Sequence, residues 1–468
     1  MRISIPLNGP SKQDRSIQAN SQRSINMFPA VKQGDAKADI VLYSHPGLLL
    51  KSNQGVGPHR ANPVKFQDKL WWVSGSELIS QDTFGAFVSV GNLLTTSSRV
   101  VLAAGRTYLM LVDGSNGYYC DGTTLTQITF GFTVTPTHVA YKDGYFIIND
   151  SDSDDFYINT TSENPITWAA LDFATASARP DKTLALLDHG NDLIMLGEDT
   201  VQNYFNSGNA DFPFESYPGA LPIGIDAPYS AVSSSHGVIW LANAEGEKAV
   251  VKSSGGQFQI ISDEELTWQI NQLATTADAI AWVRRQGGNS FYEITFPSAT
   301  KTWSINLNGN LVTELKSYGI NRFRGNGYAY LKNKAYVGDY ENGNIYELDF
   351  DTYTDNTDSF IRKRVTRVIH KDGFGLTFRS LILDAEAGIG LITGQGSDPQ
   401  VMMRYSVDGG RNWSSEVWRS LGEIGAANTK PQWINLGHGY DWVIELAFSE
   451  PTKFNIFNLF ADIDVGRA

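Results

Sequence analysis

One pattern recurs along the first three quarters of the chain: a polar turn, a short apolar strand, a second turn of Gly, Asn or Asp, and another apolar strand. It reads FQDKLWWVSGSELIS from Phe66, AGRTYLMLVDGSNGYYC from Ala104, YKDGYFIINDSDSDDFYIN from Tyr141 and DHGNDLIMLGEDTVQNYF from Asp188. It continues as SHGVIWLANAEGEKAVVKS from Ser235, QGGNSFYEITFPSATKTWSI from Gln286 and LKNKAYVGDYENGNIYEL from Leu331. The starts lie about 37 to 51 residues apart, which is the spacing of propeller blades. Within each unit a strand such as Leu193-Ile194-Met195-Leu196 is followed by a second, Val201-Gln202-Asn203-Tyr204-Phe205, across a turn of Gly and acidic residues. That is hairpin chemistry. A lone hairpin cannot bury its face, whereas radial stacking of six or seven buries both faces of every sheet. An open solenoid would need shorter and more regular coils.

The repeat fades after about Phe350, where Asp351 to Ser359 (DTYTDNTDS) is polar and turn-rich and reads as a boundary. Beyond it FIRKRVTRVI, LTFRSLILDA, VMMRYSV, WINLG and DWVIELAFS alternate like the strands of a second β domain. A chain of 468 residues exceeds what one hydrophobic core sustains. The expected fold is therefore all-β: a six- or seven-bladed β-propeller followed by a C-terminal β-sandwich-like domain. Its expected division is an N-terminal arm and propeller closure over 1–60, the propeller over 61–350 and the C-terminal domain over 360–468. One helix is predicted over Ser262 to Thr275, with Ser262 as N-cap and Glu265 completing a capping box.

Charge narrows the function. Thirty-seven Lys and Arg stand against fifty Asp and Glu, a net charge of −13, which opposes general affinity for phosphate backbones. DNA that merely passes through a conduit is compatible with such a surface, because a repulsive wall lets it slide. Against this background Arg362, Lys363, Arg364, Arg367, Lys371 and Arg379 gather at the start of the second domain. They read as one polar sheet face, or as a contact to an acidic partner or nucleic acid. The first residues lack the apolar stretch of a signal peptide, and no run approaches the roughly 18 apolar residues of a membrane span, so the chain is read as made and kept in the cytosol. A single cysteine, Cys120, excludes an intramolecular disulfide and a Cys-based zinc site.

The sharpest local motif, Ser406-Val407-Asp408-Gly409-Gly410-Arg411-Asn412-Trp413, looks like the Asp-box of sialidases. Its chemistry is turn-making: within the Ser406-led motif Asp408 accepts backbone N–H bonds across a tight hairpin, Gly410 supplies positive φ and Trp413 anchors the loop. Sialidases repeat the motif over several blades, and this sequence shows one copy outside the propeller. Asp150-Ser151-Asp152-Ser153-Asp154-Asp155 resembles the front of a calcium loop, but the sharp-turn Gly is absent and Thr161 stands where a bidentate Glu belongs. The histidines His45, His59, His138, His189, His236, His370 and His438 show no metal-ligand spacing, and no nucleophile elbow accompanies them. The expectation is a protein that is not an enzyme, with no catalytic residues, cofactor or metal.

Several stretches, taken in order, resemble the packaged-DNA stabilisation proteins of short-tailed bacteriophages, also called tail hub or nozzle proteins. They are Ile25-Asn26-Met27-Phe28-Pro29, Pro46-Gly47-Leu48, Asp143-Gly144-Tyr145-Phe146, Trp168-Ala169-Ala170-Leu171-Asp172-Phe173-Ala174, Arg179-Pro180-Asp181, Asn206-Ser207-Gly208 and Phe212-Pro213-Phe214 with Gly219. The series closes with Ser406 to Gly410, Trp418 to Gly422, Trp433 to Gly437 and Leu446 to Pro451. The resemblance implies a virion tail component made in the host cytoplasm, assembled as a ring of six copies below the portal and its head-to-tail connector after packaging. It would hold the genome in, carry the tail needle or distal tail protein, offer docking to a fibre or spike, and let DNA through the channel without tight binding. The alternative is a glycan-binding or glycan-cleaving, sialidase-like propeller that uses Trp71, Trp72 and Trp240 as sugar platforms.

Overall fold

The hairpin that the sequence marks at Asp188 forms between the strands Asp192–Gly197 and Val201–Asn206, with Leu196 opposite Val201 and Leu193 opposite Tyr204. Thr183–His189 and Phe214–Ser216 flank it to complete a four-stranded antiparallel sheet. In this computed structural model, which describes the chain except residues 8, 33–36, 177–180, 245, 255 and 467–468, the same unit is built seven times. The blades span residues 64–92, 101–128, 139–175, 183–216, 224–260, 280–314 and 325–349. Their innermost strands neighbour one another in a ring, and Val64–Phe66 lies beside both Val101–Ala104 and Gly325–Leu331, so the circle is closed.

The seventh blade supplies only three strands from its own stretch. Its fourth is Gly47–Gly55 from the N-terminal segment, which pairs antiparallel with Gly343–Asp349 and sets Leu48 opposite Leu348. At the end of this seam a Cβ on Gly343 would stand 2.0 Å from the Gly55 carbonyl oxygen, so only glycine allows the approach. Between blades the core is made of side chains such as Trp71, Trp240, Ile294 and Val337, all fully buried. Each contributes about 1.5–3 kcal/mol of burial free energy.

The helix forms over Glu264–Asn271 but is capped differently from the sequence expectation. Asp263 is the N-cap and its Oδ1 accepts from Leu266 N at 3.0 Å. Ser262 is drawn into the fifth blade instead, where its Oγ accepts from Val250 N at 3.1 Å, while Glu265 faces Lys12 at 3.6 Å.

Two further sheets pack face to face as a sandwich. One orders Met27–Val31, Ile40–Ser44, Ile456–Val465, Leu376–Ala385 and Gln432–Gly439, with Arg2–Ile5 also paired to Ile456–Val465. The other orders Ser21–Ile25, Arg362–Val365, Val443–Phe448, Gln400–Ser406 and Val417–Ser420. Their shared core centres on Trp442, stacked on Phe378 at 4.2 Å and on Tyr405 at 5.2 Å. The second sheet also meets the sixth blade, through a parallel bridge between Ile25 and Glu314. The first sixty residues thus serve both bodies: strands up to Ser44 build the sandwich and Gly47–Gly55 closes the propeller. Within the segment Asp351 to Ser359, Asp355 is buried, accepts a hydrogen bond from Tyr318 N and lies 3.7 Å from the Arg324 guanidinium.

Candidate interaction sites

Alternation along a strand decides the fate of the basic run. Arg362–Val365 is an interior strand of its sheet, so Arg362 and Arg364 turn into the protein while Lys363 turns the other way. Arg362 donates to the Thr452 carbonyl at 2.6 Å and to the Glu450 carbonyl, with its guanidinium 4.7 Å from the Phe448 ring. Arg364 donates to Gln22 Oε1 at 2.9 Å and to the Pro10 carbonyl at 3.3 Å. Burial pushes both guanidinium pKa values down to about 9. Lys363 pairs with Glu445 at 2.8 Å, and Glu445 also takes Arg404. Only Arg367, Lys371 and Arg379 are exposed, and the last two stand next to Asp372 and Asp464. The expectation of one basic face is therefore corrected for Arg362 and Arg364, which structure the sandwich and are closed to any outside phosphate.

The Asp-box loop is a closed hydrogen-bonded turn. Ser406 Oγ accepts from Gly410 N at 2.9 Å, and Asp408 Oδ1 accepts from the backbone N–H groups of Arg411 and Asn412, each at 3.0 Å. Those donors hold the Asp408 carboxyl well below the usual range. Gly410 sits at φ 93° and Trp413 Nε1 donates back to the Gly410 carbonyl at 3.1 Å. The N-terminal segment braces the loop through Gln18, which accepts from Arg411 at 3.2 Å.

The junction between propeller and sandwich was not visible as a site in the sequence, because its partners lie hundreds of residues apart. Asn26, at φ 53°, donates through Nδ2 to the carbonyls of Lys316 and Ile361 and accepts from Lys316 N at 2.9 Å, tying the end of the sixth blade to the start of the sandwich. His45, on the crossing between the two bodies, lies 3.5 Å from Glu293. Glu293 accepts from Arg284 Nε and from Trp282 Nε1, each at 2.7 Å. Although burial alone would raise it, the Arg284 charge and the His45 contact bring the Glu293 carboxyl down to about 2. The His45 imidazole is pushed down by desolvation, then by Arg284. The two stretches Ile25 to Pro29 and Pro46 to Leu48 converge on this junction. An Asn in the left-handed region was the one local signal for it.

Among the described residues no group of three His, Cys, Asp or Glu is placed to hold a metal ion. Asp150 in the acidic loop already accepts from Thr135 N at 3.1 Å and Asp152 N at 3.3 Å. The Cys120 thiol is buried and raised by desolvation, which disfavours the reactive thiolate. Also among the described residues, no helix is long and apolar enough to cross a membrane.

Residues 1–353 match the family model described as the β-propeller of bacteriophage P22 Gp10, and residues 361–464 match that of the P22 Gp10 β-sandwich. The chain belongs to the P22 Gp10 family. As a member of the Gp10 family it is a bacteriophage structural protein, with the family's propeller and sandwich in the same order. A search of curated proteins returned no match. Solved structures with a similar course include the N-terminal domain of Nup159, at 8% identity over 68% of this chain and 97% of that one, TM-score 0.40. The WD40 propeller domain of Doa1 matches at 11% identity, 64% and 97% coverage and TM-score 0.39. BamB from Moraxella catarrhalis matches at 9%, 65% and 97% coverage and TM-score 0.38.

Two of the stretches that carry the Gp10 resemblance have informative positions. In Asn164–Thr175, the outer strand of the third blade, Trp168 pairs with Asn159 and Phe173 with Tyr157, so four residues bulge out and Leu171 is 86% exposed. Arg179 and Pro180 lie outside the described residues, while Asp181 is buried and accepts from Thr200 N. The glycan alternative loses its platforms. Trp71, Trp72 and Trp240 are buried between blades, with their indole N–H groups on the Phe66 carbonyl, Gln81 Oε1 and the Gly224 carbonyl.

Proposed function

We propose that this protein is a tail hub: a ring of six copies that attaches below the portal and its connector once the head is full, retains the genome and forms part of the ejection conduit. The observation that carries this reading is the match of both domains, in order and across nearly the whole chain, to the P22 Gp10 family. The chemistry supports it. The propeller carries the charge excess, because residues 47–359 hold nineteen basic and thirty-five acidic residues against eighteen and fifteen in the remainder. A wall of that sign lets DNA pass without gripping it. In this reading the needle or distal tail protein, and a fibre or spike, dock on the ring. Long-range repulsion between copies keeps the free protein monomeric until a template supplies short-range contacts.

The test is reconstitution. Added to packaged heads that lack a tail, the protein should appear as a ring at the portal vertex by negative-stain microscopy and stop DNA leakage, while sedimentation of the protein alone at micromolar concentration shows monomer. Heads that leak equally with and without it would reject the hub function. A stable hexamer formed without heads would reject only the templated assembly.

A further inference from the structure

A cavity of about 460 Å³ lies between the innermost strands of the first five blades, and one cation, Arg99, lines it. Its walls are mixed, with an apolar stretch of Val101, Leu102 and Ala103 on one side and Val139 and Leu186 on others, beside polar groups such as Asn62 and Ser233. Arg99 precedes the strand Val101–Ala104, beside the stacked rings of His138 and Tyr229, whose centroids are 5.0 Å apart. Its hydrogen bonds go to neutral acceptors, Asn62 Oδ1 at 3.1 Å and the Asn326 carbonyl at 3.2 Å. A guanidinium has five N–H donors, so these two bonds leave donors to spare. The other lining charge, Asp188, comes from near the end of its own strand and is engaged by Lys142 at 2.9 Å.

Several other guanidiniums are compensated by charge, whereas the fully buried Arg362 and Arg364 are held on carbonyls and an amide. Arg23, Arg284, Arg324 and Arg404 each lie against a carboxylate. Among the described residues Arg99 has no carboxylate partner, and its charged neighbour is another cation, Arg322; with desolvation as the larger cause, its pKa falls to about 10. Arg99 is partly exposed where it lines the cavity, and an anion entering there would supply a counter-charge to its spare donors. The volume suits a small ligand, and an apolar stretch beside a few convergent polar groups is the usual make-up of such a site.

We infer that the propeller axis holds a binding site for a carboxylate with an apolar body, which sets its anionic end on Arg99 and lays its apolar part along Val101 to Ala103 and Val139. The carboxylate can belong to a free small acid or to the C-terminus of a polypeptide. The site does not depend on the tail-hub reading and would stand if that reading fell.

Calorimetric titration of the full chain separates the cases with four probes: hexanoate, acetyl-Leu-Val-Leu as the free acid, the same peptide as the C-terminal amide, and inorganic phosphate. The free-acid peptide or hexanoate should bind, and the amide at least about tenfold more weakly than the free acid, since a charge-assisted bond is lost. Arg99→Gln should weaken the acid by about tenfold or more, with Arg99→Lys in between, in variants whose circular dichroism matches the parent. Hexanoate binding as well as the peptide assigns the site to small acids; peptide binding alone assigns it to chain termini. Equal binding of acid and amide, phosphate binding as tight as either acid, or no binding by any probe overturns the inference. The acid and amide comparison on the unaltered chain needs no variant to fold.

Discussion

Apart from the outer strand of its last blade, the propeller takes its strands from neighbours in sequence, and the sandwich takes many of its strands from the two ends of the chain. In the second blade four consecutive strands pair in order between Val101 and Ile128. In the sandwich, Arg2–Ile5 lies on Ile456–Val465 with Ser4 opposite Phe460, and the Met1 ammonium donates to the Ile463 carbonyl. The difference extends to buried polar groups. The propeller buries neutral histidines and the Arg284–Glu293 pair, whereas the sandwich buries Arg362 and Arg364 on carbonyls and an amide. Local hairpins can form independently, while contacts between chain ends wait for a long loop to close. The two bodies should therefore respond differently to acid, to loss of a buried charge and to loss of surface pairs.

Acid should separate them most. His59 and His138 are both buried and desolvation lowers each from 6.5 to about 4. With the folded pKa below the unfolded one, the unfolded chain binds more protons below pH 6.5, so stability is complete above 6.5 and falls as the pH drops toward 4. By pH 5 each histidine costs about 2 kcal/mol, or about 4 kcal/mol together. Below that the burial-raised carboxyls of Asp339 and Asp355 oppose the loss, since they take up protons more readily in the folded state. His370 and His438 in the sandwich are exposed. Hydrogen exchange at pH 5, corrected for intrinsic rates, should accelerate in 59–74 and 138–149 and much less in 443–463. Equal acceleration in both would show that the two bodies unfold as one.

The same contrast explains what could be read from the sequence. Hairpins were legible because turn residues and alternating strands lie within twenty residues of each other, as at Asp188 to Phe205. The Asp-box stood out for the same reason. The fourth strand of the last blade, the Asn26 anchor and the His45 contact were not legible, since each joins positions about 250 to 300 residues apart. The basic run from Arg362 misled for a related reason. Which face of a strand is buried depends on the sheet laid against it, and that sheet is assembled from distant segments.

Removing one member of the buried pair tests the propeller's polar core. Glu293→Gln leaves the Arg284 charge without a counter-ion and should cost about 3 kcal/mol in urea unfolding. The double variant Arg284→Met with Glu293→Leu should recover most of that, because it also removes the stranded charge. A double variant no better than Glu293→Gln would mean that the pair matters through specific hydrogen bonds to Trp282 and Gln286.

A smaller effect is expected at the Asp-box, where the bonds are many but the loop is at the surface. Asp408→Ala removes the acceptor for two backbone N–H groups and should destabilise the sandwich by about 1–2 kcal/mol, with little change in the propeller. Asp408→Asn, which keeps one acceptor oxygen, should cost less. Regional hydrogen exchange distinguishes a local loosening of 406–414 from a loss shared with 64–350.

The smallest expected effect is at the exposed remnant of the basic run. Arg379 and Asp464 form a pair whose side chains are 70% and 45% exposed, so water already solvates both charges. Holding two long side chains in one geometry offsets most of the attraction, and Arg379→Gln should change stability by less than about 1 kcal/mol. The same exposure makes Arg379, with Arg367 and Lys371, the accessible part of the run. Three cations, two of them beside carboxylates, are too few for the counterion release that drives tight binding to duplex DNA. The triple variant Arg367→Gln, Lys371→Gln, Arg379→Gln should therefore retain the parent's stability, and neither protein should shift duplex DNA in a gel at physiological salt. A submicromolar, salt-sensitive shift by the parent that the triple variant abolishes would show that these three residues act together. That outcome would return to the sandwich a nucleic-acid contact that the burial of Arg362 and Arg364 otherwise removes.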